Sequence, residues 1–162
     1  MSVSEILDLA KTGGVMIATA ESCTGGMVAA ALTDLPGSSA MFDRGFVTYT
    51  NAAKTEMLGV APTTLDAHGA VSEQVAREMA QGALARSAAS LAVSITGIAG
   101  PGGSEHKPEG RVCFGLAQSG HETLSETQDF GARGRDMVRA LSRDHALALL
   151  LHGLSRNTLI QG

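Results

Sequence analysis

The chain has 162 residues, enough for one domain with a buried core and short for two. Twelve Lys and Arg against sixteen Asp and Glu give 12 − 16 = −4, so no positive field is available to hold nucleic acid, and an aromatic content of 3% offers no stacking platform for single strands. Two cysteines are too few for a disulfide framework, no CxxC or His/Cys spacing of a zinc site occurs, and the longest apolar run near the end, residues 146–151, falls far short of the roughly 20 residues of a membrane span.

The opening segment MSVSEILDLAKTGG lacks the basic start and apolar run of a signal peptide. A single domain over residues 1–162, soluble and cytoplasmic, with no metal and no cofactor, is therefore expected. Ser2 or Ser4 can cap a first helix that runs to about Lys11 and stops at Gly13 and Gly14. Residues 15–20, VMIATA, suit a buried strand, and ESCTGG then turns the chain into a helix over residues 26–35, closed by Pro36 and Gly37. A second strand is expected at 45–50, with Asn51 capping the helix that begins NAAKTEMLG.

Thr63 or Thr64 starts a short helical turn, and residues 71–88 form the clearest helix, with Val75, Met79 and Ala83 on one face. Residues 91–97 read as a third strand that runs into the glycine-rich IAGPGGSEHKPEG, residues 111–118 as a fourth, and 122–130 as its hairpin partner. From Arg133 to about Leu154, the spacing of Met137, Leu141, Leu147 and Leu151 fits a closing amphipathic helix. Helices alternating with apolar strands, with one late hairpin, predict a three-layer α/β/α sandwich around a mixed, mostly parallel β-sheet.

Sites in such folds gather where the carboxyl ends of strands meet the following turns, which selects three segments. In ESCTGG, small residues let a substrate approach the backbone at a helix N-terminus, and Ser22 is a nucleophile, a phosphate ligand or simply a cap. Cys23 beside it is either a thiol activated by the helix start or a small buried residue, and Glu21 is either an anchor tied to backbone donors or an orienting group. In YTNAAK, Lys54 can serve as base toward a serine hydroxyl if burial or a neighbouring cation lowers its pKa, with Tyr49 relaying the proton or holding the geometry. The bland reading makes Lys54 a solvated helix lysine. In GIAGPGG, successive N–H groups can form an anion nest or an oxyanion hole, or the loop is merely flexible surface. Arg44 can meet a phosphate.

The segments AESCTGGMVAAALTDLPGSSAMFDRGFVTYTNAAK, LGV, HGAVSE and SITGIAGPGGSEHKPEG, in this order and spacing, resemble the CinA C-terminal-domain family over about residues 5–152. Its enzymatic members are nicotinamide-nucleotide amidohydrolases, so the resemblance implies removal of ammonia from the carboxamide of nicotinamide mononucleotide (NMN). A non-catalytic nucleotide-binding or interaction module, as in competence or DNA-damage regulation, is the alternative. The family's proposed chemistry maps onto Ser22, Tyr49 and Lys54. Substrate contacts are expected in and around the three turns, at Glu21, Cys23, Thr24, Gly25, Gly26, Arg44, Asn51, Thr96, Gly97, Ile98, Ala99, Gly100, Gly102 and Gly103. Glu109 departs mildly from the pattern, since relatives often carry a small apolar residue in that place. Relatives form homo-oligomers, and Leu147, Leu149, Leu150 and Leu151 give the last helix apolar surface to spare, so a dimer is expected.

Overall fold

The structure, a computed structural model, describes residues 3–104 and 106–161, and side chains within that span as far as residue 156. In chain order it contains α1 (Val3–Gly13), β1 (Ile17–Glu21), α2 (Met27–Thr33), a 3-10 turn (Ser38–Ala40), β2 (Phe42–Val47), α3 (Asn51–Leu58), α4 (Pro62–His68), α5 (Glu73–Ala85), β3 (Leu91–Gly97), β4 (Arg111–Gln118), β5 (Leu124–Asp129) and α6 (Arg135–Gln161). The sheet order is β2-β1-β3-β4-β5. β1 pairs in parallel with both β2 and β3, while β4 is antiparallel to both β3 and β5. Since β5 therefore runs the same way as β3, β4 alone opposes the common direction, and the expected mixed sheet is present.

The two faces of the sheet differ in side-chain size, and this sets how closely each helical layer approaches. Ile17, Leu91, Val93, Ile95, Val112, Phe114 and Leu116 pack with α1, α2 and α6 in the larger core. The opposite face carries Ala18, Ala20 and Ala92 against Leu58, Val75, Met79 and Ala83. There α5 lies against the backbone of the sheet. Ser94 Oγ donates to the Ala76 carbonyl at 2.5 Å, and a Cβ on Gly115 would stand 2.4 Å from the same oxygen.

Several boundaries move from their expected places for physical reasons. β2 begins and ends three residues early because its parallel register pairs Phe42 with Ile17 and Val47 with Glu21, after which Thr48 N–H closes onto the Glu21 carbonyl. Thr50, not Asn51, caps α3: its hydroxyl accepts from Ala53 N–H, which leaves Asn51 as the first helical residue. Ser72 caps α5 in the same manner. A cap at Ser2 lies outside the described residues, and Ser4 sits inside α1.

On α6 the buried stripe is Val138, Ser142, Ala146, Leu150 and Leu154 with Leu147; of the face expected from spacing, Leu147 is buried and Leu141 and Leu151 are half-buried. Met137 is consequently 49% exposed. The small Ser142 and Ala146 let the helix approach the sheet, a device that the spacing of large apolar residues does not reveal. Leu147 and Leu150 are spent in the core, and Leu149 and Leu151 pack against it, so these leucines do not supply the free surface on which a dimer was expected. Among the described residues no helix is long and apolar enough to cross a membrane.

Candidate active site

The turn after β1 is built around a buried carboxylate. Glu21 Oε1 accepts from Thr24 Oγ1 at 2.6 Å and Val28 N–H at 2.9 Å, while Oε2 accepts from Ala29 N–H at 3.1 Å. These bonds satisfy donors that the start of α2 would otherwise leave bare, and they place a negative charge at the positive end of the helix. Gly25 and Gly26 have φ of 57° and 109°, so the reversal needs residues without a Cβ. Ser22, whose N–H donates to the Ile95 carbonyl, is left standing at the carboxyl end of β1.

Lys54 reaches this serine from α3. Its Nζ donates to Ser22 Oγ at 3.0 Å, to the Thr48 carbonyl at 3.2 Å and to the Tyr49 carbonyl at 3.3 Å. Lys54 is 1% exposed and Ser22 7%, so the pair is shielded from bulk water. The solvated-lysine reading is wrong, because β2 ends where the following turn folds α3 back over β1. Tyr49 contributes through its main chain at this point. Its hydroxyl, on a side chain 59% exposed, accepts from Arg135 Nη2 at 2.8 Å and does not lie between serine and lysine.

These groups open into a cleft of about 300 Å³. Ser22 and Cys23 form one end; Tyr49, Asn51 and Lys54 one side; Thr96 with the run from Gly97 to Ser104 the other; and Ala70, Val71 and Arg135 complete the rim. Of the residues expected to surround a substrate, Cys23, Asn51, Thr96, Gly97, Ile98, Ala99, Gly100, Gly102 and Gly103 line this space. Glu21 and Thr24 instead face each other inside the turn, and Gly25 and Gly26 shape it without lining the cleft. Arg44 is also placed elsewhere: on β2 its Nε donates to Asp43 Oδ2 at 2.7 Å and Nη1 to the Arg86 carbonyl at 3.4 Å.

A guanidinium that does reach the cleft is that of Arg135, the first residue of α6. Its Nη1 donates to the Gly100 carbonyl at 2.8 Å, so with the Tyr49 contact it spans the mouth. One turn on, Arg139 Nε donates to the Cys23 carbonyl at 3.0 Å and braces the serine turn from behind. The signal was present in RGRDMVRA, where two arginines four apart share a helix face, but a helix read for its apolar spacing hides its cations.

Cys23 is buried, and burial pushes its thiol from about 9 up to about 11. It stays protonated at neutral pH and forms wall, not nucleophile. The glycine wall is ordered by its own bonds: Ile98 N–H donates to the Arg111 carbonyl, Gly110 N–H to the Ile98 carbonyl, and Gly102 N–H to Glu109 Oε1 at 2.5 Å. Thr96 Oγ1 donates to the Ala70 carbonyl at 2.9 Å, joining the end of β3 to the corner between α4 and α5.

Fold and site together define an α/β protein whose parallel strands end at a shielded serine–lysine pair beside a glycine-rich wall. The model of the CinA C-terminal domain family matches residues 2–154, and the chain belongs to that family. The nicotinamide-nucleotide amidohydrolase PncC of Enterobacter agglomerans is 51% identical over 148 residues, covering 91% of this chain and 90% of that protein. The PncC of Escherichia coli strain K12 is 49% identical over 166 residues, covering 98% and 100%. A CinA-like protein of Chlorobium phaeobacteroides is 58% identical over 124 residues, covering 75% of this chain but 30% of the longer relative. Among solved structures, the competence/damage inducible protein CihA of Agrobacterium tumefaciens superposes with a TM-score of 0.87 at 47% identity, covering 94% and 95% of the two chains. The competence damage-inducible protein A of Klebsiella pneumoniae gives 0.90 at 38% identity, covering 94% of each.

Proposed function

We propose that this chain hydrolyses the carboxamide of NMN, giving nicotinate mononucleotide and ammonia. The observation that carries the reading is the 3.0 Å hydrogen bond between Lys54 Nζ and Ser22 Oγ inside the cleft. Its support is the near full-length likeness to the nicotinamide-nucleotide amidohydrolases.

A carboxamide is resonance-stabilised, so its hydrolysis requires an activated oxygen, a site for the developing oxyanion and a proton for the departing nitrogen. Ser22 Oγ attacks the carbonyl carbon while Lys54 Nζ takes its proton directly. This step uses Lys54 as an uncharged amine. The tetrahedral oxyanion rests on N–H groups of Ala99 and Gly100, which line the cleft, in place of the Thr24–Gly26 turn, which does not. The proton on Lys54 passes to the leaving ammonia and the C–N bond breaks, leaving an ester on Ser22. Water, deprotonated by Lys54, then attacks that ester, releases the carboxylic acid and restores the serine. Tyr49 holds Lys54 through its carbonyl and Arg135 through its hydroxyl. Arg135 meets the substrate phosphate at the mouth, in the role that Arg44 was expected to fill.

The test is ammonia release from NMN, nicotinamide riboside, nicotinamide and NAD. NMN is expected to lead, and Arg135→Ala to narrow its advantage over the riboside, because only the nucleotide offers the phosphate. No release from any of the four by a folded sample would overturn the reading. The same proposal includes a cytoplasmic setting and a homodimer.

A further inference from the structure

The glycine wall is held from two sides by a pair of opposite charges that the chemistry itself does not use. Lys107 leaves the hairpin closed by Ser104 N–H on the Lys107 carbonyl and Lys107 N–H on the Ser104 carbonyl, at 3.0 and 2.8 Å. Its Nζ crosses to the corner between α4 and α5, donating to the His68 carbonyl at 2.7 Å and to the Val71 carbonyl. Val71 lines the cleft, so this ammonium fastens one wall of the cleft to another. Two residues on, Glu109 turns inward and accepts from Gly102 N–H. The carboxylate also fills the space beside Gly100, where a Cβ would stand 2.5 Å from Glu109 Oε1. Gly100 and Gly102 both line the cleft, and both have positive φ, 92° and 80°.

We propose that Lys107 and Glu109 are positioning residues for the hydrolysis: Lys107 locks the glycine-rich wall onto the α4–α5 corner, and Glu109 fixes the curvature of that wall from within. Neither side chain lines the cleft at Ser22. Their effect is on how the wall presents its N–H groups to the substrate. An N–H engaged by Glu109 is also withdrawn from anion binding, which leaves the substrate phosphate to Arg135. Charge-assisted hydrogen bonds to carbonyl and amide are strong enough to set a loop that otherwise has many glycines and few side chains to pack.

The proposal rests on the amidohydrolase reading, so its experiment has one arm that needs no turnover. In the first arm, Lys107→Met and Glu109→Ala are each expected to lower kcat/KM for NMN about tenfold, and Lys107→Arg and Glu109→Gln, which keep a donor and an acceptor, to stay near wild type. In the second arm, amide hydrogen exchange over residues 98–104 is expected to quicken in the two truncations and not in the two conservative variants. If one truncation does not fold, the other tests the same wall. Unchanged kcat/KM with unchanged exchange, or conservative variants as impaired as the truncations, would each overturn the clamp. If even the wild type releases no ammonia, the exchange arm still decides the clamp while the amidohydrolase reading falls.

Discussion

Ser22 and Lys54 stand 32 positions apart in sequence and 3.0 Å apart in space. Ser22→Ala and Lys54→Ala are each expected to lower kcat by about 10³ or more with the fold intact, measured as ammonia release beside circular dichroism. A serine ester trapped in the wild type and seen by mass spectrometry would separate covalent attack from water attack. Cys23, next in the chain, makes a prediction of opposite character. Its folded thiol titrates near 11 and an unfolded one near 9, so between these values the native state holds more protons than the unfolded state. Its contribution to stability is therefore complete below pH 9 and is lost as pH rises toward 11, a change of about 2–3 kcal/mol at most. Thermal melts from pH 8 to 11 should show this decline, and Cys23→Ala should flatten it.

At the scale of elements, legibility followed the range of the forces involved. β3 and β4 were read at their observed bounds because each is a short apolar run flanked by turn residues, a signal contained in the strand itself. β2 was misplaced because its limits come from register with β1, which the local sequence does not state. The small-residue turn and the glycine loop were visible as candidates, since their composition is their mechanism. Arg135 was not, because only the docking of α6 brings it to Gly100 and Tyr49. One close approach between elements bears on the chemistry directly. A Cβ on Gly82 of α5 would lie 2.0 Å from the Leu58 carbonyl, at the end of the helix that carries Lys54. Gly82→Ala should cost about 1–3 kcal/mol and push α3 outward, so the melting temperature falls and kcat falls more than KM rises.

For the molecule as a whole, the common direction of β1, β2 and β3 brings their carboxyl ends to one rim, and the cleft follows from that arrangement. The antiparallel β4 returns from the same rim, which is why the glycine loop joining β3 to β4 becomes the second wall. Sequence spacing indicated the layers; it did not indicate which face would be packed by small residues. Among the described residues, the large apolar side chains left exposed are Val47, Tyr49, Met57, Leu124 and Met137, spread over several elements in place of the leucine face of α6. Light scattering on the purified protein is expected to give twice the mass of one chain. A monomer at micromolar concentration would remove the dimer from the proposal.

The two cysteines also make the molecule its own reporter of opening. Cys23 lies in the serine turn and Cys113 at the centre of the β3–β4–β5 sheet, both free, both buried, both with thiols raised by burial. Only 5% and 2% of their surfaces are exposed, so a thiol reagent labels them slowly in the closed protein and faster with each excursion of their surroundings. Cys23 would follow the breathing of the Ser22–Lys54 corner and Cys113 the parting of the sheet, two clocks in one chain without an added probe.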